Sequence, residues 1–114
     1  MYIAAYIFRR VPGMSLEGFL DYYKNQHGPC MVALMKDRGL ISYDHYPIRE
    51  TNLGDIYVPE EGPAYDAISI YTFESAEAAK VCWEMEEVKI DSQNFIDFDS
   101  MQMLPLTHRT VFPK

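Results

Sequence analysis

The chain opens on a run that is apolar in both of its alternating sets. Tyr2, Ala4, Tyr6 and Phe8 form one face of the predicted strand and Ile3, Ala5 and Ile7 the other, so it belongs in the middle of a sheet, covered on both sides. The aliphatic set suits packing against helices, and the other set makes an aromatic face. The period then changes. Pro12 and Gly13 punctuate a turn over Val11 to Met14, Ser15 is a predicted N-cap, and Leu16, Phe19, Leu20, Tyr23 and His27 share one helix face. Gly28-Pro29 is expected to stop that helix, and Pro29 to open a second helical piece ended by Gly39. Leu40 to Tyr46 alternates again, with His45 on the face of Ile41 and Tyr43, and Pro47 ends the strand. Residues 49–63 lack periodicity and mix Pro, Gly and acids; a connection of that length serves as a lid, a binding segment or a solvated crossover.

Tyr65 to Phe73 is the third predicted strand, with Asp66, Ile68, Ile70 and Thr72 on one face. Ser75 caps a helix running to Lys89, whose apolar side holds Ala79, Cys82 and Trp83. Ile90 to Asp99 reads as an acidic, turn-like segment anchored by Phe95, Ile96 and Phe98, and Met101 to Phe112 as a last strand, at the sheet edge where Pro105 falls. The order β-α-β-β-α-β is that of a ferredoxin-like α+β fold: an antiparallel sheet with both helices on one face, here one domain over residues 1–114. The other face is expected to carry Tyr6, Phe8, Ile68 and Ile70. Such a patch predicts a homodimer through the sheet face, a dimeric α+β barrel with a pocket in each half.

Composition narrows the function. The 114 residues are 48% hydrophobic and 14% aromatic, as in a globular domain. Net charge is −7, with 10 Lys and Arg against 17 acids, which excludes a nucleic-acid or anionic-membrane partner. No apolar run reaches membrane-spanning length and no secretory signal is visible, so a cytoplasmic protein with Cys30 and Cys82 as reduced thiols is expected. The nine tyrosines suit an apolar pocket with a few hydroxyls, or ordinary core and interface packing. A small molecule is the ligand such a pocket would take.

His27 stands out, because an ionisable ring falls on the apolar stripe of a helix. It reads either as a general acid or base, or as a helix-end histidine favoured by the macrodipole. His45 faces either the pocket or the core, and Tyr6 either donates to a developing oxyanion or packs in the barrel. His108 lies near the end of the last strand, and Cys30 is read as a structural thiol rather than a nucleophile. Asp91, Asp97 and Asp99 are read as solvated turn acids, and no metal-ligand spacing occurs. No GxGxxG, Walker lysine or nucleophile-elbow motif is present, so neither a nucleotide cofactor nor serine hydrolysis is expected.

The stretch RRVPGMSLEGFLDYYKNQHGP resembles the opening signature of EthD-like proteins, a branch of the dimeric α+β barrel group. YDAISIYTFES and QNFIDFDSMQMLP resemble the family's third strand and the segment before its last strand, so the likeness spans nearly the whole chain. The resemblance implies a ferredoxin-like homodimer. It also implies a small cofactor-free enzyme of secondary metabolism that decarboxylates, dehydrates or cyclises aromatic polyketide intermediates. His27 corresponds to the histidine of the family's His-x-Pro, and His45 to the second-strand histidine of the decarboxylase-like branch. Ile70 stands where many relatives carry a carboxylate, which leaves Asp66 as the acid on that face. Catalytic His27, His45 and Tyr6, with Tyr23, Phe8, Asp66, Ile68, Ile70 and Phe95 around the substrate, are thus the expected site of a lyase. A monooxygenase, an isomerase or cyclase, and a non-catalytic binding dimer are the alternatives.

Overall fold

The structure, a computed structural model, describes residues 1–48 and 63–113. All but Pro63 of the predicted connection over 49–63 lies outside the described residues. In chain order the elements are β1 (Tyr2–Arg10), α1 (Leu16–Tyr22), a π-helical turn (Tyr23–His27), α2 (Gly28–Met35), β2 (Leu40–Pro47), β3 (Ala67–Phe73), α3 (Ala76–Trp83), α4 (Glu86–Gln93) and β4 (Ile96–Leu106). The strands form one antiparallel sheet in the order β2-β3-β1-β4, the ferredoxin-like arrangement, with the helices on one face. β1 is central, as its two-sided apolar pattern predicts. Pro105 lies on the edge strand β4, where a missing N–H costs no ladder bond on the outer side. No described helix is long and apolar enough to cross a membrane.

The register corrects the expected faces. Residues directly opposite in an antiparallel pair share a face. Tyr6 lies opposite Ser69, Phe8 opposite Ala67 and Ala4 opposite Tyr71, so each large ring is accommodated by a small partner. This set points toward the helices and not away from them. Phe8 meets the rings of Phe19, Tyr23 and Phe95, and Tyr6 meets Trp83. Ile68 and Ile70 lie opposite Ile7 and Ala5 on the outer face, as expected, and Leu104 and Leu106 of β4 extend that aliphatic surface. Tyr6 and Phe8 were misplaced because both alternations of β1 are apolar, so polarity does not mark which one is inside.

The first helix does not stop at Gly28. Its residue Ser15 caps α1, with the Gly18 N–H donating to Oγ at 3.0 Å, and the chain then widens into the π turn and continues as α2. Gly28 keeps right-handed helical angles, and its N–H reaches back five residues to the Tyr23 carbonyl. Pro29 explains the widening. Proline lacks an N–H and its ring crowds the carbonyl four residues back, and a π turn relieves both conflicts. The turn also steers side chains. Four residues overshoot a regular helical turn by about 40°, yet Phe19, Tyr23, His27, Met31 and Met35 are all buried at four-residue spacing. The wider turn removes part of that drift and keeps His27 inward. Leu20, expected on the same stripe, is 36% exposed at its edge.

The second helical region also differs from expectation. It breaks at Met85, which is extended, and α4 then runs to Gln93 through residues read as turn-like. This orientation puts Val88, Asp91, Ser92 and Phe95 at helical spacing toward the protein interior, with Val88 and Phe95 buried. β4 begins at Ile96, earlier than predicted, and its pairing with β1 jumps from Arg9–Asp97 to Ile7–Gln102. The additional residues form a wide bulge pinned by Ser100, whose Oγ accepts from the Arg9 N–H at 2.9 Å and donates to the Asp97 carbonyl at 2.7 Å.

Candidate active site

Between the inner face of the sheet and the α3–α4 region lies a cavity of about 280 Å³. It is near the lower end of ordinary small-molecule pockets. Its walls are mostly apolar: Tyr6 and Phe8 from β1, Tyr71 from β3, Trp83 at the end of α3, Val88 from α4, and Phe98, Met101 and Met103 from the bulged strand β4. The bulge matters here because two of its residues, Phe98 and Met101, form part of the wall. Polar groups are sparse and come from His27, Ser69, Lys89 and Ser92, with the hydroxyls of Tyr6 and Tyr71.

His27 is the histidine in this wall, and only 2% exposed. Its Nδ1 lies 2.7 Å from Asp91 Oδ2. A carboxylate only accepts, so Nδ1 carries the hydrogen and donates it. The neutral ring then has its lone pair on Nε2. Asp91 is itself held: the Tyr22 hydroxyl donates to Oδ1 at 2.7 Å, and Asn94 Nδ2 donates to that hydroxyl at 3.0 Å. Phe95 supports the imidazole from below, with ring centroids 4.5 Å apart. Burial lowers the pKa of His27, and the Asp91 hydrogen bond opposes that shift without cancelling it. A neutral, oriented imidazole facing an apolar cavity is a candidate general base. Burial also raises the pKa of Tyr6, so its hydroxyl remains a donor at neutral pH.

The other expected residues divide. Tyr6 and Phe8 line the cavity with His27. His45 does not. It shares a face with Tyr43, as its alternation predicts, and it stacks flat on Tyr23 at 3.7 Å and shares a 2.6 Å hydrogen bond with the Tyr43 hydroxyl. Its exposed edge opens on a separate surface depression of about 540 Å³ beside Lys24 and Lys36. Ile41, expected beside it, is displaced by a bulge after Leu40 and is 51% exposed. Tyr23 is buried in the core and reaches the cavity only through Ser69, its hydroxyl 2.7 Å from Ser69 Oγ. Phe95 is fully buried beneath His27 and forms no part of the wall. Asp66 is engaged elsewhere: Arg10 Nη1 donates to Oδ1 at 2.7 Å and the Arg10 N–H to Oδ2 at 2.8 Å, which ties the start of β3 to the end of β1. Ile68 and Ile70, on the outer face, are turned away from the cavity. Cys30 is partly buried, and desolvation, followed by Asp91 and Glu87, raises its pKa, which disfavours the thiolate.

Sequence reasoning missed Asp91, Ser69, Tyr71, Trp83 and Lys89. A signal for Asp91 existed. Val88, Asp91, Ser92 and Phe95 repeat at the spacing of one helix face, and the carboxylate on an otherwise apolar stripe mirrors the histidine on the first helix.

The sequence profile of the EthD domain matches residues 11–99. The chain belongs to the EthD domain family. No curated protein matches it. Its fold is similar to an EthD family protein from Bacillus halodurans C-125, with TM-score 0.64, 15% identity, and coverage of 96% of this chain and 100% of that one. A dimeric ferredoxin-like protein of unknown function from Jannaschia sp. CCS1 gives a TM-score of 0.65 at 12% identity, covering 95% of this chain and 100% of that one. An antibiotic biosynthesis monooxygenase gives 0.59 at 10% identity, covering 96% and 100%.

The histidine environments make stability pH-dependent. Burial, reinforced by the nearby His27, lowers the His45 pKa to about 4. An unfolded histidine titrates near pH 6.5. Between pH 6.5 and 4 the unfolded chain therefore binds a proton that the folded chain does not, and stability falls as the pH is lowered through that window. Chemical denaturation should show His45→Gln losing about 2 kcal/mol less than the wild type between pH 7 and pH 4, after allowance for solvent screening. Parallel profiles for the two proteins would contradict the assignment.

Proposed function

We propose that this EthD protein is a cofactor-independent lyase that acts by proton transfer on an aromatic, polyketide-type molecule, in the manner of secondary-metabolite enzymes. The observation that carries the reading is the His27–Asp91 pair, a buried neutral imidazole that lines an apolar cavity and is held through Nδ1. His27 Nε2 takes a proton from the carbon next to a substrate carbonyl. Tyr6 donates a hydrogen bond to the oxygen as it becomes an enolate, in surroundings where such a bond is strengthened by the exclusion of water. The imidazolium formed is stabilised by Asp91, which also fixes the ring's tautomer. Returning that proton to a departing hydroxyl releases water and restores neutral His27, so dehydration balances without any external acid. Decarboxylation uses the same walls but consumes a proton, which a histidine that starts neutral does not supply. Dehydration is accordingly the better fit.

A second reading has one observation in its favour, the fold shared with an antibiotic biosynthesis monooxygenase. There the His27-generated carbanion would meet dioxygen in place of losing a group. Turnover in an oxygen-free chamber separates the two, since only the lyase continues.

The first chemical step can be measured without knowing the natural substrate. Anthrone has an acidic ring methylene across the central ring from its ketone and conjugated to it through the fused benzene rings, a vinylogous counterpart of a carbon next to a carbonyl, and its exchange in deuterated water is visible by NMR. The wild type should accelerate the exchange, and His27→Ala should lose roughly a hundredfold or more of that acceleration. Asp91→Asn should lose at least about tenfold, because an amide can also donate and so favours the wrong tautomer. Exchange undiminished in His27→Ala would remove the histidine from the mechanism.

The assembly proposed is a homodimer through the outer sheet face. Ile3, Ile7, Ile68, Ile70, Leu104 and Leu106 share that face, and none of the described helices covers it. A monomer would leave the patch in water. Light scattering on Ile70→Glu should give a folded monomer where the wild type gives a dimer; an unchanged mass would place the interface elsewhere.

A further inference from the structure

We propose that Lys89 is a specificity-determining residue that makes the cavity select aromatic ligands with a negative charge at their outer end. This rests on the reading of the cavity as the substrate site. Among the described residues, Lys89 is the one Lys or Arg in the wall. It follows Val88 on α4 and precedes Ser92 by three residues, so it stands on the flank of the face that lines the cavity. The apolar partners that complete the opening are Phe98 and Met103, which are 43% and 45% exposed. A lysine stem can lie along such a rim and keep its ammonium in water.

The surrounding charge makes the single ammonium informative. The chain carries −7 overall, and α4 itself begins Glu86-Glu87. A chain this acidic disfavours anions in general, and Lys89 offsets that locally at the wall. Aromatic walls by themselves also attract cations, but a fixed ammonium at the rim opposes their entry. Elsewhere the wall suits an uncharged, planar group, since it includes the aromatic residues Tyr71 and Trp83 and the hydroxyl-bearing Tyr6. A molecule with its carbonyl at Tyr6 and its acidic carbon at His27 would extend outward to Lys89. The anionic group there is a handle and not the reacting group, since attraction to an ammonium holds a carboxylate in place and gives no preference for the transition state.

Trp83 supplies the assay. It is the chain's one tryptophan and lines the cavity, so its fluorescence reports occupancy. Wild type, Lys89→Gln and Lys89→Arg would be titrated at low salt with an anthraquinone carboxylate and with the neutral hydroxymethyl anthraquinone of the same shape. The wild type should prefer the carboxylate. Lys89→Gln should weaken it about fivefold and leave the neutral probe unchanged. Lys89→Arg should retain the preference, and added salt should erode it in the wild type. An equal affinity ratio in wild type and Lys89→Gln overturns the proposal. The same titration on His27→Ala keeps the two readings apart: a protein that discriminates but shows no His27-dependent exchange supports Lys89 and contradicts the lyase, and the opposite pattern does the reverse.

Discussion

The site depends on one hydrogen bond. His27 and Asp91 are 64 residues apart, on the first and last helical regions, and meet at 2.7 Å inside the protein. Burying an imidazole without a partner for its N–H would leave an unsatisfied donor, at a cost of about 1–3 kcal/mol. Meeting that requirement fixes several things at once. It sets the tautomer, leaves the lone pair on Nε2, and holds α4 against the π turn. Asp91 in turn is positioned by Tyr22 and Asn94, so the same network links α1 to the end of α4.

Proline at position 29 is the local cause of that geometry. A regular helix through Gly28-Pro29 would lose a hydrogen bond and suffer a ring clash. The chain widens instead of stopping, and the π turn carries His27 inward with Tyr23. Helical stretches of this kind often coincide with functional positions. Here the reason is mechanical, since the same five residues absorb the proline and present the imidazole.

Much of the fold was legible in the chain. The alternating runs placed three of the four strands within a few residues, Ser15 and Ser75 capped the helices they were read to cap, and Pro105 lies at a sheet edge. The faces of β1 were not legible, because Tyr6 and Ile7 are both apolar and only the partner strand distinguishes them. Ser69 and Ala67 leave room for Tyr6 and Phe8, and that complementarity appears only once the register is known. The site was half legible. His27 was visible as a histidine on an apolar stripe. Asp91 was hidden among neighbouring acids because the break at Met85 turns α4 in a direction that spacing alone does not give. Alternation put His45 with Tyr43 but left pocket and core open, and the Tyr23 ring stacked on it turns its edge to another depression.

The central claim is that His27 is neutral at physiological pH and has its proton on Nδ1. Long-range proton–nitrogen NMR of protein labelled in histidine reads this directly, with His27→Gln used to assign the signal. At pH 7 the account predicts one protonated nitrogen, Nδ1, and an unprotonated Nε2 that shifts when an aromatic ligand fills the cavity. A doubly protonated ring, or a proton on Nε2 in place of Nδ1, would contradict it.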